Sequence, residues 1–176
     1  MYQVSGTLEP LKSAIAPNKS SYMHTSQPSL PANCTLRRAD SGDRGAIFRL
    51  VLGAKLDPTQ LRWQQFWVIE CQGQVVACGQ LRQFADAQEL GSLVVAPQWR
   101  DRGLGTLLTQ HLISQASHPL YLECLGTRLA QFYRRFGFVP VSWQQLPRSL
   151  KFKFGLSHFA KIILRIPVEI MTLSSH

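Results

Sequence analysis

The sequence predicts an α+β fold, a single domain built around a mixed central sheet, and three observations carry that prediction. The first is the order of patterns: a run of strands joined as in antiparallel sheets, then a strand–helix–strand unit, then a further helix and extended segments. The second is size, since 176 residues with 45% hydrophobic content suit one domain with a buried core. The third is that no internal repeat is visible, so no solenoid or array competes with this reading.

Residues 1–33 are rich in Ser, Pro, Thr and Asn and lack sustained periodicity; they read as a disordered extension, with the domain proper over 34–176. Thr35 to Arg38 forms a short first strand. Asp40 or Ser41 caps a helix that carries Ile47, Leu50 and Val51 on one face. Gly53 and Asp57-Pro58 end it, and a second short helix is expected through Leu61 and Trp63. Phe66 to Cys71 and Gln74 to Leu81 flank Gln72-Gly73 as the two arms of a hairpin. Another strand, Glu89 to Val95, runs into Pro97. Leu104, Leu107, Leu108, Leu112 and Ala116 then mark an amphipathic helix. Pro119 to Cys124 is a strand, Thr127 to Phe136 a helix stopped by Gly137, Phe138 to Val141 extended, and Val168 to Leu173 the last strand.

Composition narrows the function classes. The net charge of +9 favours an anionic partner, whether nucleic acid, an acidic membrane surface or a phosphorylated cofactor. No apolar run spans a bilayer: the longest, Phe159 to Met171, is broken by Lys161, Arg165, Pro167 and Glu169. The N-terminus lacks the basic start and apolar stretch of a secretory signal. Its serines suit an organelle transit peptide, but no arginine precedes Arg37, so a cytoplasmic protein is expected. Cys34, Cys71, Cys78 and Cys124 fit no metal-ligand spacing and the histidines are scattered, so no metal site is expected. With Gln72-Gly73 as the turn, Cys78 falls opposite Trp67 rather than Cys71, and reduced cysteines are expected.

The most informative stretch is VVAPQWRDRGLGTLL, Val94 to Leu108. A strand stops at a proline, and Arg100-Asp101-Arg102-Gly103-Leu104-Gly105 opens a helix. The first helical turn has unpaired N–H groups and partial positive charge. Glycines remove the Cβ atoms that would hold an anion away, and arginines add fixed positive charge. Such a turn suits a phosphate or diphosphate. Neither a dinucleotide GxGxxG nor a P-loop GK[ST] is present.

Two segments resemble the GNAT acetyltransferase superfamily. Arg100, Gly103 and Gly105 match its [QR]-x-x-G-x-[GA] cofactor segment after a strand ending Val95-Ala96-Pro97. Ala130 to Phe138, AQFYRRFGF, matches its later A-x-x-[YF]-x-x-x-G-F pattern, with Tyr133 at the tyrosine position. The resemblance implies helices on both faces of the sheet and a splayed strand pair. It further implies acetyl-CoA as cosubstrate, its pyrophosphate on the backbone N–H groups of Asp101, Arg102, Gly103, Leu104, Gly105 and Thr106. The backbone of Leu93, Val94 and Val95 would bond the pantetheine arm. Arg100 and Arg102 are the expected phosphate contacts, while Arg134 and Arg135 read as an exposed face. Many relatives carry an asparagine seven residues before the tyrosine; here that position is Gly126.

The implied reaction is attack of a primary amine on the thioester. Glu89 is the candidate general base and Tyr133 the candidate acid toward the departing thiolate. Alternation along a regular strand would set Glu89, Gly91, Leu93 and Val95 on one face. The acceptor, a small molecule, a protein N-terminus or a lysine, is not encoded in any stretch we can decode, and homodimerisation is compatible with the reading. Two other classes fit less well: a catalytically silent acyl-CoA sensor, and a basic module that associates with membranes or nucleic acid. The latter would use Arg148 to Arg165, where five basic residues interleave with aromatics and no acid occurs. No dedicated nucleic-acid module is visible.

Overall fold

The structure, a computed structural model, describes residues 29–155 and 168–173. The expected N-terminal extension, apart from its last residues, and the half of the basic segment holding Phe159, Lys161, Ile162, Ile163 and Arg165 lie outside the described residues. In chain order the elements are β1 (Cys34–Arg38), α1 (Arg44–Gly53), β2 (Phe66–Cys71), β3 (Gln74–Gln83), β4 (Gln88–Val95), α2 (Leu104–Ser114), β5 (Leu120–Leu125), α3 (Thr127–Arg134), β6 (Phe138–Pro140) and β7 (Val168–Leu173). Residues 148–155 form a further helix, α4. They build one seven-stranded sheet in the order β1-β2-β3-β4-β5-β7-β6. Neighbours pair antiparallel throughout except β4 and β5, which run parallel.

Each helix is held by one apolar stripe. Ile47 and Val51 of α1 pack on Phe66, Val68, Cys78 and Val94 on one face of the sheet. Leu104, Leu108 and Leu112 of α2, with Ala130 and Tyr133 of α3, pack against Ile69, Ala77, Leu81 and Leu122 on the other. The three α2 leucines are at most 1% exposed, and such burial contributes ~1.5–3 kcal/mol each. A third cluster, Leu146, Leu150 and Phe154 against Ala87, seats α4 by the loop between β3 and β4. Asp40 caps the start of α1 through a 3₁₀ turn, Ser41–Asp43, in a reciprocal capping box. Arg37 ties that turn to the sheet, pairing Asp43 at 2.7 Å and Glu70 at 2.6 Å.

Three expectations are corrected. The short helix expected through Leu61 and Trp63 is only a 3₁₀ turn, Trp63–Gln65, because Pro58 and the extended Arg62 interrupt the backbone before it. The hairpin forms with Gln72 and Gly73 both at positive φ, as a two-residue turn requires. A bulge between Ile69 and Glu70 then shifts the register, so Cys78 faces Val68 and Gly79 faces Trp67. Finally, not all cysteines are reduced: Cys34 and Cys71 face each other across β1 and β2 and are disulfide-bonded. Cys78 and Cys124 are free and buried.

Candidate active site

The site begins where β4 and β5 part. Their ladder holds only Gln88 opposite Leu120 and Glu89 opposite Tyr121, so residues 90–95 of β4 have no partner on that side. A second irregularity coincides with the opening. Gln80 pairs with Gly91 and Cys78 with Val94, leaving Ser92 and Leu93 together opposite Gly79. Ser92 takes φ +49, the bulged residue of the pair. The bulge reverses the alternation expected of β4. Glu89 and Val94 face the α1 side, whereas Leu93 and Val95 pack with α2. Glycine is needed at position 79: an added Cβ would lie 2.7 Å from Leu112 Cδ1 and 3.1 Å from Leu93 Cδ1.

Beyond β4 the chain crosses a 3₁₀ turn, Pro97–Trp99, and enters α2 through two left-handed residues, Asp101 at φ +61 and Gly103 at φ +77. This alternation turns successive N–H groups to one side. The first donation at the start of α2 is from Leu107 N–H to the Gly103 carbonyl, at 3.0 Å. Among the described residues, no backbone carbonyl accepts from the N–H groups of residues 101–106. They face a cleft of roughly 610 Å³ whose floor includes Val95, Gly103 and Gly105. A Cβ on Gly105 would stand 3.7 Å from Val95 Cγ2 and 3.9 Å from Phe132 Cζ, so the missing side chain leaves the floor open. The cradle is unplugged and its amides are available for an anion.

Of the two expected arginines, Arg100 lines the same cleft, whereas Arg102 does not line it and is placed against Trp99. The Arg102 guanidinium stacks on Trp99 at 4.9 Å, and Arg100 Nε donates to the Val95 carbonyl at 3.3 Å. That second bond occupies one of the three β4 backbone groups expected to bind pantetheine. Replacing both arginines with alanine removes two flanking positive charges without touching the core. Acetyl-CoA affinity is expected to fall roughly 10- to 100-fold, read by calorimetric titration.

The facing wall comes from α3, and the sequence reading missed most of it. Arg128, Gln131, Phe132 and Arg135 line the cleft. Their i, i+3, i+4, i+7 spacing is the signal that could have found them. Arg135, expected on an exposed face, stacks on Phe132 at 5.0 Å; Arg134 does turn away, pairing with Glu169 at 2.7 Å. Tyr133 lies behind this wall, 4% exposed, with ring contacts to Phe132 at 5.1 Å and Phe138 at 5.7 Å. Burial, with the neighbouring Cys124 of β5, pushes its phenol well above the usual range. Gly126 caps α3 at φ 80, ψ 158, a region essentially reserved for glycine. An asparagine at that position would be strained, so the cleft residues Arg128 and Gln131 are the polar side chains α3 offers instead.

Glu89 is not a solvated strand end. It is 3% exposed, and its Oε1 takes both Arg82 Nη1 at 2.9 Å and Lys153 Nζ, from α4, at 2.6 Å. Arg82 continues to Ser92 Oγ at 3.0 Å, linking the cluster to the bulge. Glu89 Oε2 is buried without a partner among the described residues. Glu89→Gln would leave the buried Arg82 and the half-buried Lys153 facing a neutral amide. Breaking such a pair costs about 3–5 kcal/mol, and the expected result is a marked fall in stability in chemical denaturation. An unchanged unfolding midpoint would contradict this ion-pair account.

A sheet that opens between two parallel strands, with bare amides of a helix start at the mouth, defines the GNAT class of fold. An acetyltransferase (GNAT) domain model matches residues 62–140. An amino-acid acetyltransferase of Shewanella oneidensis is 31% identical over 141 residues, 73% of this chain and 32% of that protein. One from Pseudomonas fluorescens is 35% identical over 103 residues, 56% of this chain and 24% of its own length. The chain thus spans a third or less of these curated relatives. Among solved structures, N-acetylglutamate synthase from Neisseria gonorrhoeae, complexed with coenzyme A and L-arginine, aligns with TM-score 0.65 and 25% identity over 83% of this chain and 34% of that one. A Mycobacterium tuberculosis protein solved with CoA gives TM-score 0.65 at 23% identity, covering 81% of this chain and 99% of that one. The chain has a GNAT-like fold, and it is residues 62–140 that match the acetyltransferase domain. Among the described residues there is no helix long and apolar enough to cross a membrane and no group of side chains that could hold a metal.

Proposed function

We propose that the chain is an N-acetyltransferase that moves the acetyl group of acetyl-CoA to the amine of an amino acid. The observation that carries this reading is the set of unpaired amides at residues 101–106 facing an open cleft beside the β4–β5 gap. The pyrophosphate suits those amides, and the pantetheine arm suits the gap as a substitute strand along β4. Relatives named as amino-acid acetyltransferases support the acceptor class, and the coenzyme A in the Neisseria structure supports the cofactor. A smaller cavity of roughly 270 Å³, lined by Arg62, Gln65 and Arg82, lies by the end of β3. The Arg62 guanidinium suits a carboxylate of the acceptor, while that of Arg82 is already engaged by Glu89 and Ser92. A cytoplasmic location goes with this reading, because it depends on the cytoplasmic acetyl-CoA pool.

In the reaction the amine nitrogen attacks the thioester carbonyl carbon. The C–N bond forms, the C–S bond breaks, and the thiolate leaves with the bonding pair. A β4 N–H at the gap stabilises the oxyanion, an effect typically of about 3 kcal/mol. Glu89 Oε2, the oxygen not taken by Arg82 or Lys153, is the acceptor for the amine proton through a bridging water. Tyr133 donates toward the thiolate sulfur from a phenol that burial keeps protonated. A thiol-release assay over the amino acids and a peptide panel, with mass identification of the product, tests the reading. N-acetylated amino acid is the expected product. Stoichiometric acetyl-CoA binding without thiol release would make the chain a sensor.

A further inference from the structure

The helix α4 carries one side chain that packing alone does not explain. Leu146, Leu150 and Phe154 fall on one stripe and are at most 3% exposed, packed against Ala87 and Phe84. Lys153, three residues after Leu150, turns to the same side. Its side chain is 15% exposed, and its Nζ lies 5.1 Å from the centre of the Phe154 ring. The other basic groups of α4 stay outside, Arg148 exposed and Lys151 on the Gln144 carbonyl at 2.8 Å. A lysine beside an apolar stripe costs desolvation unless an anion meets it. Here the anion is the Glu89 carboxylate, the candidate base, at 2.6 Å.

That carboxylate is gripped from two elements. Arg82 of β3 meets Oε1 at 2.9 Å and is itself held by Ser92 Oγ at 3.0 Å. Gly91 makes the room for this guanidinium: a Cβ there would collide with Arg82 Nη1 and stand 3.0 Å from its Cζ. Ser92 Oγ also donates to Gln80 Oε1 at 3.5 Å, and Gln80 Nε2 donates to Gln65 Oε1 at 3.0 Å. Gln65 lines the small cavity by the end of β3. Arg82 is thus built into the sheet, whereas Lys153 arrives only with α4, which Ser149 fastens to Asp86 in the β3–β4 loop. Both cations share Oε1, while Oε2 has no partner among the described residues. The terminal torsion of a glutamate is broad when nothing holds it. Two cations on one oxygen narrow it and decide which oxygen stays free.

We propose that Lys153 is a positioning residue for the reaction: from α4 it fixes the Glu89 carboxylate against Arg82, so that Oε2 alone is left to take the proton. Docking of α4 thereby completes the base. This inference rests on the acetyl-transfer reading above and deepens it, by giving a part in turnover to a residue that touches neither cofactor nor acceptor in that scheme.

The test compares the full chain with its Lys153→Met, Lys153→Gln and Lys153→Arg variants. Each is followed by thiol release with the amino acid the parent acetylates fastest, by acetyl-CoA titration and by thermal unfolding. Methionine suits the apolar stripe and leaves Arg82 and Glu89 as a matched pair, so the fold should hold. Its kcat is expected to fall about 10- to 100-fold, the cost of a misplaced catalytic group. The Kd for acetyl-CoA and the KM for the amino acid should stay within about threefold, a split that a loss of fold would not produce. Lys153→Arg keeps the charge and should recover most of the lost turnover. Should the methionine variant unfold, the glutamine variant is read in the same way; unfolding of both overturns the proposal by making Lys153 a residue of the fold. Parent-like kcat in a folded, uncharged variant overturns it and leaves acetyl transfer standing. Equal losses in the arginine and uncharged variants also overturn it, because the charge would then not matter. A parent that releases no thiol with any amino acid overturns the acetyl-transfer reading and the positioning role with it.

Discussion

Gly105→Val is expected to lower acetyl-CoA affinity by upwards of about 100-fold while the protein remains folded. The new side chain would rise between Val95 and Phe132, on the floor of the cleft and beside the unpaired amides of α2. Phosphate oxygens could then no longer approach those N–H groups. A charge-assisted hydrogen bond is worth about 1.5–3 kcal/mol, so losing two accounts for a fall of this size. The fold should survive for two reasons. Valine is the better helix former of the two residues, and the Cβ position meets its neighbours at ordinary contact distances. Calorimetric titration beside thermal unfolding reads both halves of the expectation. Parent-like affinity in a folded variant would remove the cradle from cofactor binding.

The second large effect concerns turnover. Tyr133→Phe keeps the ring that packs on Phe132 and Phe138 and removes only the hydroxyl. If the phenol donates to the departing thiolate, kcat should fall on the order of 100-fold or more, the usual span for a positioned acid. The dissociation constant for acetyl-CoA should stay within about threefold, because the diphosphate is held elsewhere. The direction of the shift adds a pH statement. Burial raises the phenol above its ordinary value near 10, so the acid form persists as pH rises. No loss of kcat from Tyr133 ionisation is expected between pH 7 and about 10. The raised value also widens the mismatch with a thiol of about 8.5, which favours a hydrogen bond to the sulfur over complete proton transfer in the transition state. Unchanged turnover would leave Tyr133 a core residue.

The parts of this molecule legible in the sequence are those set by local rules. β2 and β7 begin and end where their apolar runs do, and α2 starts where Gly103 takes its left-handed turn. The cleft floor from Arg100 to Gly105 was equally readable, since a strand end, two arginines and two glycines have few other uses together. What escaped depends on contacts distant along the chain. Nothing in Gly-Ser-Leu announces that Ser92 will adopt φ +49, yet that bulge decides which face Glu89 shares. Lys153 reaches Glu89 across 64 residues of sequence, and Cys34 meets Cys71 across 37. Arg128 and Arg135 stand at helical spacing, yet the sequence reading passed over the first and set the second on an exposed face. Their role depends on which face of α3 meets α2, and that is a property of packing.

The most direct test of the account follows the backbone amides of Asp101 to Thr106 by ¹⁵N–¹H correlation spectroscopy as coenzyme A is added. If a diphosphate accepts hydrogen bonds from them, these amides should show some of the largest downfield shifts in the spectrum, saturating with the binding isotherm. Coenzyme A that binds while these six amides stay unmoved would contradict the account at its centre.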